Sequence, residues 1–240
     1  MAQIDGLQQA RYAGITWNAP LSDRHATQLL DKLSLSTATS IIDLGCGWGE
    51  LLLQAVERGN PDLKATGVDT DVEALARGRQ SAQERGLDVS FLEQRAEFWH
   101  GTADRALCIG SSHTLGGTRA MLDRLATLVP AGRVLIGDTC WERPPHKAAS
   151  DIFGDGVLQL SDIAGLCREA GWKVLHLSTA SQQEWDDFES GHRAGPRLWL
   201  LANPNDPRAA EVNAEQDQRE HEYLTIYRGV LSFVYLVLAR

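Results

Sequence analysis

Two acids and three glycines are the residues in this chain whose types and spacing suggest chemistry first. Asp43 is followed by Leu44, Gly45, Cys46, Gly47, Trp48 and Gly49. Glycine has no Cβ and reaches positive φ without strain, so glycines at alternate positions let the backbone approach a bound molecule closely. The dinucleotide fingerprint is G-x-G-x-x-G, with a pyrophosphate set against a helix N-terminus. Here the spacing is G-x-G-x-G and the next residue is Glu50, a carboxylate that would repel a pyrophosphate. A ligand with a cationic centre and an ammonium group would not be repelled, and Asp43 supplies negative charge for that ammonium. Asp69 lies 20 residues beyond Gly49. That is where nucleoside-binding sheets carry the acid that accepts the ribose hydroxyls. Together these residues predict a pocket for an adenosine-like ligand with a positive amino-acid tail. Gly45, Cys46, Gly47, Gly49, Asp69 and Thr70 are its candidate contacts.

These side chains need a scaffold, and the hydropathy pattern supplies one. Residues 40–44, 65–69, 89–92, 106–109, 133–137 and 172–177 are short apolar or β-branched runs that predict strands. Helical patterns lie between them over 49–58, 71–85, 118–128 and 161–170. Asp71 and Ser161 are predicted N-caps, and Gly86 and Gly171 are predicted stops. Strand–helix alternation of this kind predicts a doubly wound α/β sheet with helices on both faces. Residues 181–228 break the rhythm as a polar, aromatic-bearing helical segment, and 230–239 close the chain as a seventh strand. The expected organisation is one domain over 1–240, with an N-terminal helical cap over 1–35 and a lid-like helical insertion over 181–228.

The run Ile42-Asp43-Leu44-Gly45-Cys46-Gly47-Trp48-Gly49, followed by Thr66-Gly67-Val68-Asp69, resembles the first two motifs of the class I S-adenosylmethionine (SAM) dependent methyltransferases. The resemblance covers at least residues 40–177. It implies a seven-stranded sheet with the last strand antiparallel, SAM as cofactor and S-adenosylhomocysteine (SAH) as product. In that family an acid often stands beside the adenine after the third strand. This chain has Arg95 there, so adenine contact falls to the backbone amides of Arg95 or Ala96. The run Ile109-Gly110-Ser111-Ser112-His113 follows the fourth strand, where family members turn the methyl group towards the acceptor, and it adds Gly110 to the cofactor contacts.

His113 is the candidate catalytic residue. An imidazole with an ordinary pKa of ~6.5 can accept a proton from an acceptor hydroxyl or ammonium at neutral pH. The alternative is a histidine that only shapes the acceptor pocket, since methyl transfer from a sulfonium can run on positioning alone. Trp141 and Glu142 follow the fifth strand and suit an amine or a polar ring. With Trp17, Trp185 and His113 they are the candidate acceptor contacts, and packing within the rim and lid is the competing role for the tryptophans. The fourth and fifth strand ends offer one acid, Asp138, which does not make an oxygen-rich cation site, so no metal is expected.

Composition narrows the partners. The 240 residues carry 23 Lys+Arg against 32 Asp+Glu, a net charge of −9. Nucleic-acid binders ordinarily carry a basic surplus, so a small-molecule acceptor is expected instead. Cys46, Cys108, Cys140 and Cys167 form no C-x-x-C pair and read as reduced thiols of a cytoplasmic protein. The N-terminus lacks a leader pattern, and the apolar run 230–239 is far shorter than the ~20 residues that span a bilayer. Oligomeric state has no signature here. The competing function is a non-catalytic SAM- or nucleoside-binding regulatory or partner subunit.

Overall fold

The computed structural model describes residues 6–240, apart from the side chains of Gln8 and Gln9. The first five residues, on which the leader reading rests, lie outside the described residues. The strands run β1 (Ser40–Leu44), β2 (Lys64–Asp69), β3 (Val89–Glu93), β4 (Arg105–Ile109), β5 (Arg133–Trp141), β6 (Leu158–Gln159), β7 (Lys173–Thr179) and β8 (Leu231–Ala239). Seven of them form a continuous sheet in the order β3-β2-β1-β4-β5-β8-β7, with the two-residue β6 paired beside β5. β1 to β5 are mutually parallel where they pair, and β8 is antiparallel to both β5 and β7. The expected seven-stranded doubly wound sheet with an antiparallel last strand is therefore present, with β6 added.

The helices are α1 (Gly6–Arg11), α2 (Asp23–Asp31), α3 (Glu50–Arg58), α4 (Val72–Arg85), α5 (Thr118–Leu128), α6 (Lys147–Phe153), α7 (Leu160–Glu169), α8 (Gln182–Ala202) and α9 (Ala209–Glu222). Asp71 caps α4 by accepting from the N–H groups of Glu73 and Ala74, and Gly86 ends it at φ 67°. Ser161 is not a cap: α7 begins one residue earlier, after Gln159, and the Ser161 hydroxyl donates to Asp162 instead. β5 runs on to Trp141 because all nine of its residues find partners on β8. α6 carries no strong apolar period and was not expected.

Side chains alternate between two cores, one on each face of the sheet. One face gathers Ile41, Leu135, Phe233, Tyr235 and Val237 with α2, α3 and the aromatics of α8. The other gathers Ile42, Val134, Ile136, Val234, Leu236 and Leu238 with α5, α7 and Trp172. β8 contributes to both, which explains its unbroken apolar run: a strand covered on both faces needs no polar side. This sandwich fixes the heads of β1, β2 and β4 on one edge, where the site residues lie.

Candidate active site

The glycine loop is shaped by backbone constraints. The N–H groups of Gly45 and Cys46 both donate to the Val68 carbonyl, at 2.9 and 3.0 Å, so the loop folds back over the end of β2. Gly45 and Gly49 sit at φ 74° and 70°. A Cβ on Gly45 would stand 2.2 Å from the Ser111 hydroxyl, and one on Gly49 would stand 2.5 Å from the Phe91 ring. Gly47 is different: it has positive φ, but open space lies where its Cβ would be. Its neighbours demand glycine for packing, whereas Gly47 presents bare backbone to a cavity.

Asp69 faces that backbone. One carboxylate oxygen accepts from Gly47 N–H at 2.7 Å. The other accepts from Thr70 and Asp71 N–H at 2.7 and 2.9 Å. Three amides thus orient the carboxylate, whose remaining lone pairs are left for further donors. Asp43, at the end of β1, is buried. Burial first, then the charge of Asp69, pushes its carboxyl up to about 7. A cation or hydrogen-bond donor brought against Asp43 would favour its ionised form.

These groups line one cavity of about 470 Å³, together with Cys46, Gly49, Thr70, Gln94, Arg95, Ala96, Gly110 and His113. The sequence-predicted cofactor contacts are therefore all brought together. Glu50 is at the cavity edge, but Arg85 binds its carboxylate through two hydrogen bonds of 3.0 and 2.6 Å. Its repulsion is thereby muted, which weakens the argument drawn from it against a pyrophosphate. The Arg95 guanidinium pairs with Glu97 at 2.8 Å and lies over the Phe98 ring.

The opposite wall comes from the N-terminal segment, through Thr16, Trp17, Asn18, Ala19 and Leu21. Trp48 Nε1–H donates to the Thr16 carbonyl at 2.8 Å. Arg77 lies 4.2 Å over the Trp48 ring and donates to the carbonyls of Tyr12 and Ile15. Further along, Ser22 donates its N–H and hydroxyl to Glu184, whose carboxylate also accepts from Ser181 N–H and meets the His25 ring. Burial raises the Glu184 carboxyl, but these hydrogen bonds prevail and hold it at about 2. The segment is thus fastened to the glycine loop at one end and to the start of α8 at the other. Among its residues sequence reasoning found only Trp17; Ser22 was a readable N-cap of α2, but nothing local marked the rest as a cavity wall.

The predicted lid sits differently from its expected position. No residue of 181–228 lines the cavity. α8 lies behind the N-terminal segment instead, with Gly191 so close to Ile15 that a Cβ would come within 2.6 Å of its side chain. Trp185 is buried edge-on against Phe188 and Tyr227, and Trp141 is buried edge-on against Phe153. Neither Trp141, Trp185 nor the exposed Glu142 reaches the cavity lining. The cause is geometric: the 12–22 segment occupies the space over the strand ends that the insertion was expected to fill.

His113 lies in a short helical turn, Ser112–Leu115, after β4, with its side chain exposed to the cavity. Asp138, on β5, has its carboxyl raised by burial, against hydrogen bonds from Ser112 and Thr139 and the charge of His113. Among the described residues no group of three or more His, Cys, Asp or Glu is placed to hold a metal ion. Nor is any described helix long and apolar enough to cross a membrane.

A doubly wound sheet with a glycine loop after β1 and an amide-held acid at the head of β2 is the architecture of a nucleoside- or nucleotide-binding α/β protein. The chain belongs to the methyltransferase domain family, whose model matches residues 35–183. It is 30% identical over 238 residues to the uncharacterized protein YjhP of Escherichia coli K12, covering 92% of this chain and 93% of YjhP. The X-ray structure of YjhP superposes with a TM-score of 0.86 at 27% identity, over 98% of this chain and all of that one. A SAM-dependent methyltransferase from Geobacter sulfurreducens, crystallised with SAH, superposes with a TM-score of 0.87 at 27% identity over the whole of both chains. A more partial likeness, 34% over 135 residues, is to the trans-aconitate 2-methyltransferase of Paracidovorax citrulli, of which the match spans half.

The protein is a SAM-dependent methyltransferase, with SAM as cofactor and SAH as product. The residues present fit that cofactor. Gly47 leaves room against its backbone, Asp69 offers oriented acceptors for a diol, and Asp43 is a buried carboxyl that a cation would stabilise. Bound SAM supplies a methyl group on a sulfonium, already activated as a leaving group.

Proposed function

We propose that this chain methylates an oxygen or nitrogen atom of a small-molecule acceptor by direct displacement, without a metal. The observation that carries the reading is that the candidate cofactor contacts share one cavity with Trp17, Leu21, Ile109 and His113. A reaction of this type requires donor and acceptor in line and sheltered from water, and positioning of this kind supplies much of the rate.

In this reading Asp69 binds the ribose hydroxyls, Asp43 holds the ammonium, and the amides of Arg95 and Ala96 meet the adenine. Trp17 and Leu21 cover the acceptor and exclude water. His113 accepts the proton that the acceptor loses, at the ring nitrogen facing the cavity.

The test uses SAM labelled in its methyl group, incubated with the protein and a small-molecule extract, in the presence and absence of EDTA. Labelled product of low molecular weight that persists in EDTA is expected. Loss of turnover on chelation with recovery on adding magnesium contradicts the metal-independent displacement. Trp17→Ala is expected to raise the acceptor KM by about tenfold, the worth of one aromatic contact, while the SAH dissociation constant stays within about twofold. Equal effects on both would remove Trp17 from the acceptor side.

A further inference from the structure

The charges around the cavity restrict what can enter it. Its lining holds the acids Asp43, Glu50 and Asp69, one guanidinium, Arg95, and one imidazole, His113, and no lysine. The guanidinium is engaged with Glu97. The next cations are held elsewhere. Arg77 is bound by the Tyr12 and Ile15 carbonyls beneath the roof segment, and Arg85 is bound by Glu50. Besides the candidate cofactor contacts and His113, the lining includes Trp17, Ala19, Leu21, Ile109 and Thr114, and the Asp138 carboxyl accepts from Ser112, the residue before His113. Sites that bind di- and tricarboxylates place fixed guanidinium forks where the carboxylates lie. This wall has an indole, aliphatic side chains and a hydroxyl.

We propose that the acceptor carries no negative charge, being an amine or a hydroxyl on a flat apolar body, and that polycarboxylates are rejected. The proposal rests on the methyl-transfer reading and narrows it. It also separates this chain from the P. citrulli relative, whose name specifies trans-aconitate. Trp17 provides the ring face: its indole N–H donates to Asp23 at 3.0 Å, which pins the plane, and an aromatic face attracts a cation or stacks on a ring.

The experiment titrates SAH-loaded protein with four probes: tryptamine, 5-hydroxyindole, trans-aconitate and citrate. Saturable binding of SAH is measured first, and its failure would remove the methyl-transfer reading rather than this one. With SAH bound, at least one of the two indoles is expected to bind about tenfold or more tighter than either carboxylate. Trans-aconitate binding as tightly as the indoles, or accepting a methyl group from SAM, overturns the proposal, and so does equal weakness of all four probes. A second variant asks the same question in reverse. Thr114→Arg places a guanidinium on the acceptor wall and is expected to tighten trans-aconitate binding by about fivefold or more over the unmodified protein. No change in that affinity also counts against the proposal, because it means that the missing cation was not what excluded the anion.

Discussion

The heads of β1 and β2 and the roof over them are built on different principles. At the strand heads the determinants are local and backbone-made: positive-φ glycines, two N–H groups on the Val68 carbonyl, and three N–H groups on Asp69. The roof is an extended segment held by side chains from distant parts of the chain, with Ser22 reaching Glu184 across 162 positions. The first region can recognise a fixed cofactor with little adjustment. In the proposed reading the second borders the acceptor, and it meets the first through Trp48 and Arg77. Function grafted on a common fold divides in this way.

The largest effect is expected behind the roof. Trp185 is buried among Phe188 and Tyr227. Trp185→Ala is expected to lower stability by about 3–5 kcal/mol, the range for emptying a large aromatic site. The folded protein should keep its SAH affinity within about threefold. Denaturant unfolding and calorimetry check the two halves of this statement, and a large loss of SAH affinity with unchanged stability would reverse the assignment.

Glu184→Gln should cost about 2–3 kcal/mol, since it removes a buried carboxylate that accepts several hydrogen bonds. Its folded pKa, about 2, lies below the ordinary carboxylate value. The stabilisation is therefore fully present above pH ~4.5 and is lost as pH falls from there towards ~2. Acid unfolding of the wild type should steepen over that window, and the variant should lack the added slope.

The strand heads are probed through Asp43, whose carboxyl is pushed up to about 7 before ligand arrives. Binding that needs the ionised form should be about tenfold weaker at pH 6 than at pH 8, where ionisation is nearly complete. The enthalpy of SAH binding should also depend on the buffer's ionisation heat near pH 6.5, through proton release. Asp43→Asn should bind SAH more weakly and with little pH dependence. A pH-independent affinity in the wild type would place the cation elsewhere.

The same division decides what could be read from the sequence. The meeting of Asp43, the three glycines and Asp69 in one cavity was legible because their placement follows from neighbours a few residues away and from one fixed spacing. β8 was legible because a doubly covered strand has to be apolar throughout. The seat of 181–228 was not legible. Its aromatics read equally as a lid's inner face or as its core, and the choice depended on where the 12–22 segment lay. That segment carries no helical or strand period, and its position is fixed by Trp48, Arg77 and Glu184, all remote in sequence. Ser161 failed as a cap for a smaller reason: α7 could begin at Leu160, which seats an apolar side chain against the core a turn before Ile163.

The central claim is that the amide-held Asp69 carboxylate is the cofactor's ribose anchor, independent of the roof. Calorimetric titration of SAH into Asp69→Ala tests it most directly. The account predicts affinity weakened by roughly 2–4 kcal/mol, the worth of one or two charge-assisted hydrogen bonds, in a protein whose unfolding midpoint moves little. An unchanged SAH dissociation constant would contradict it.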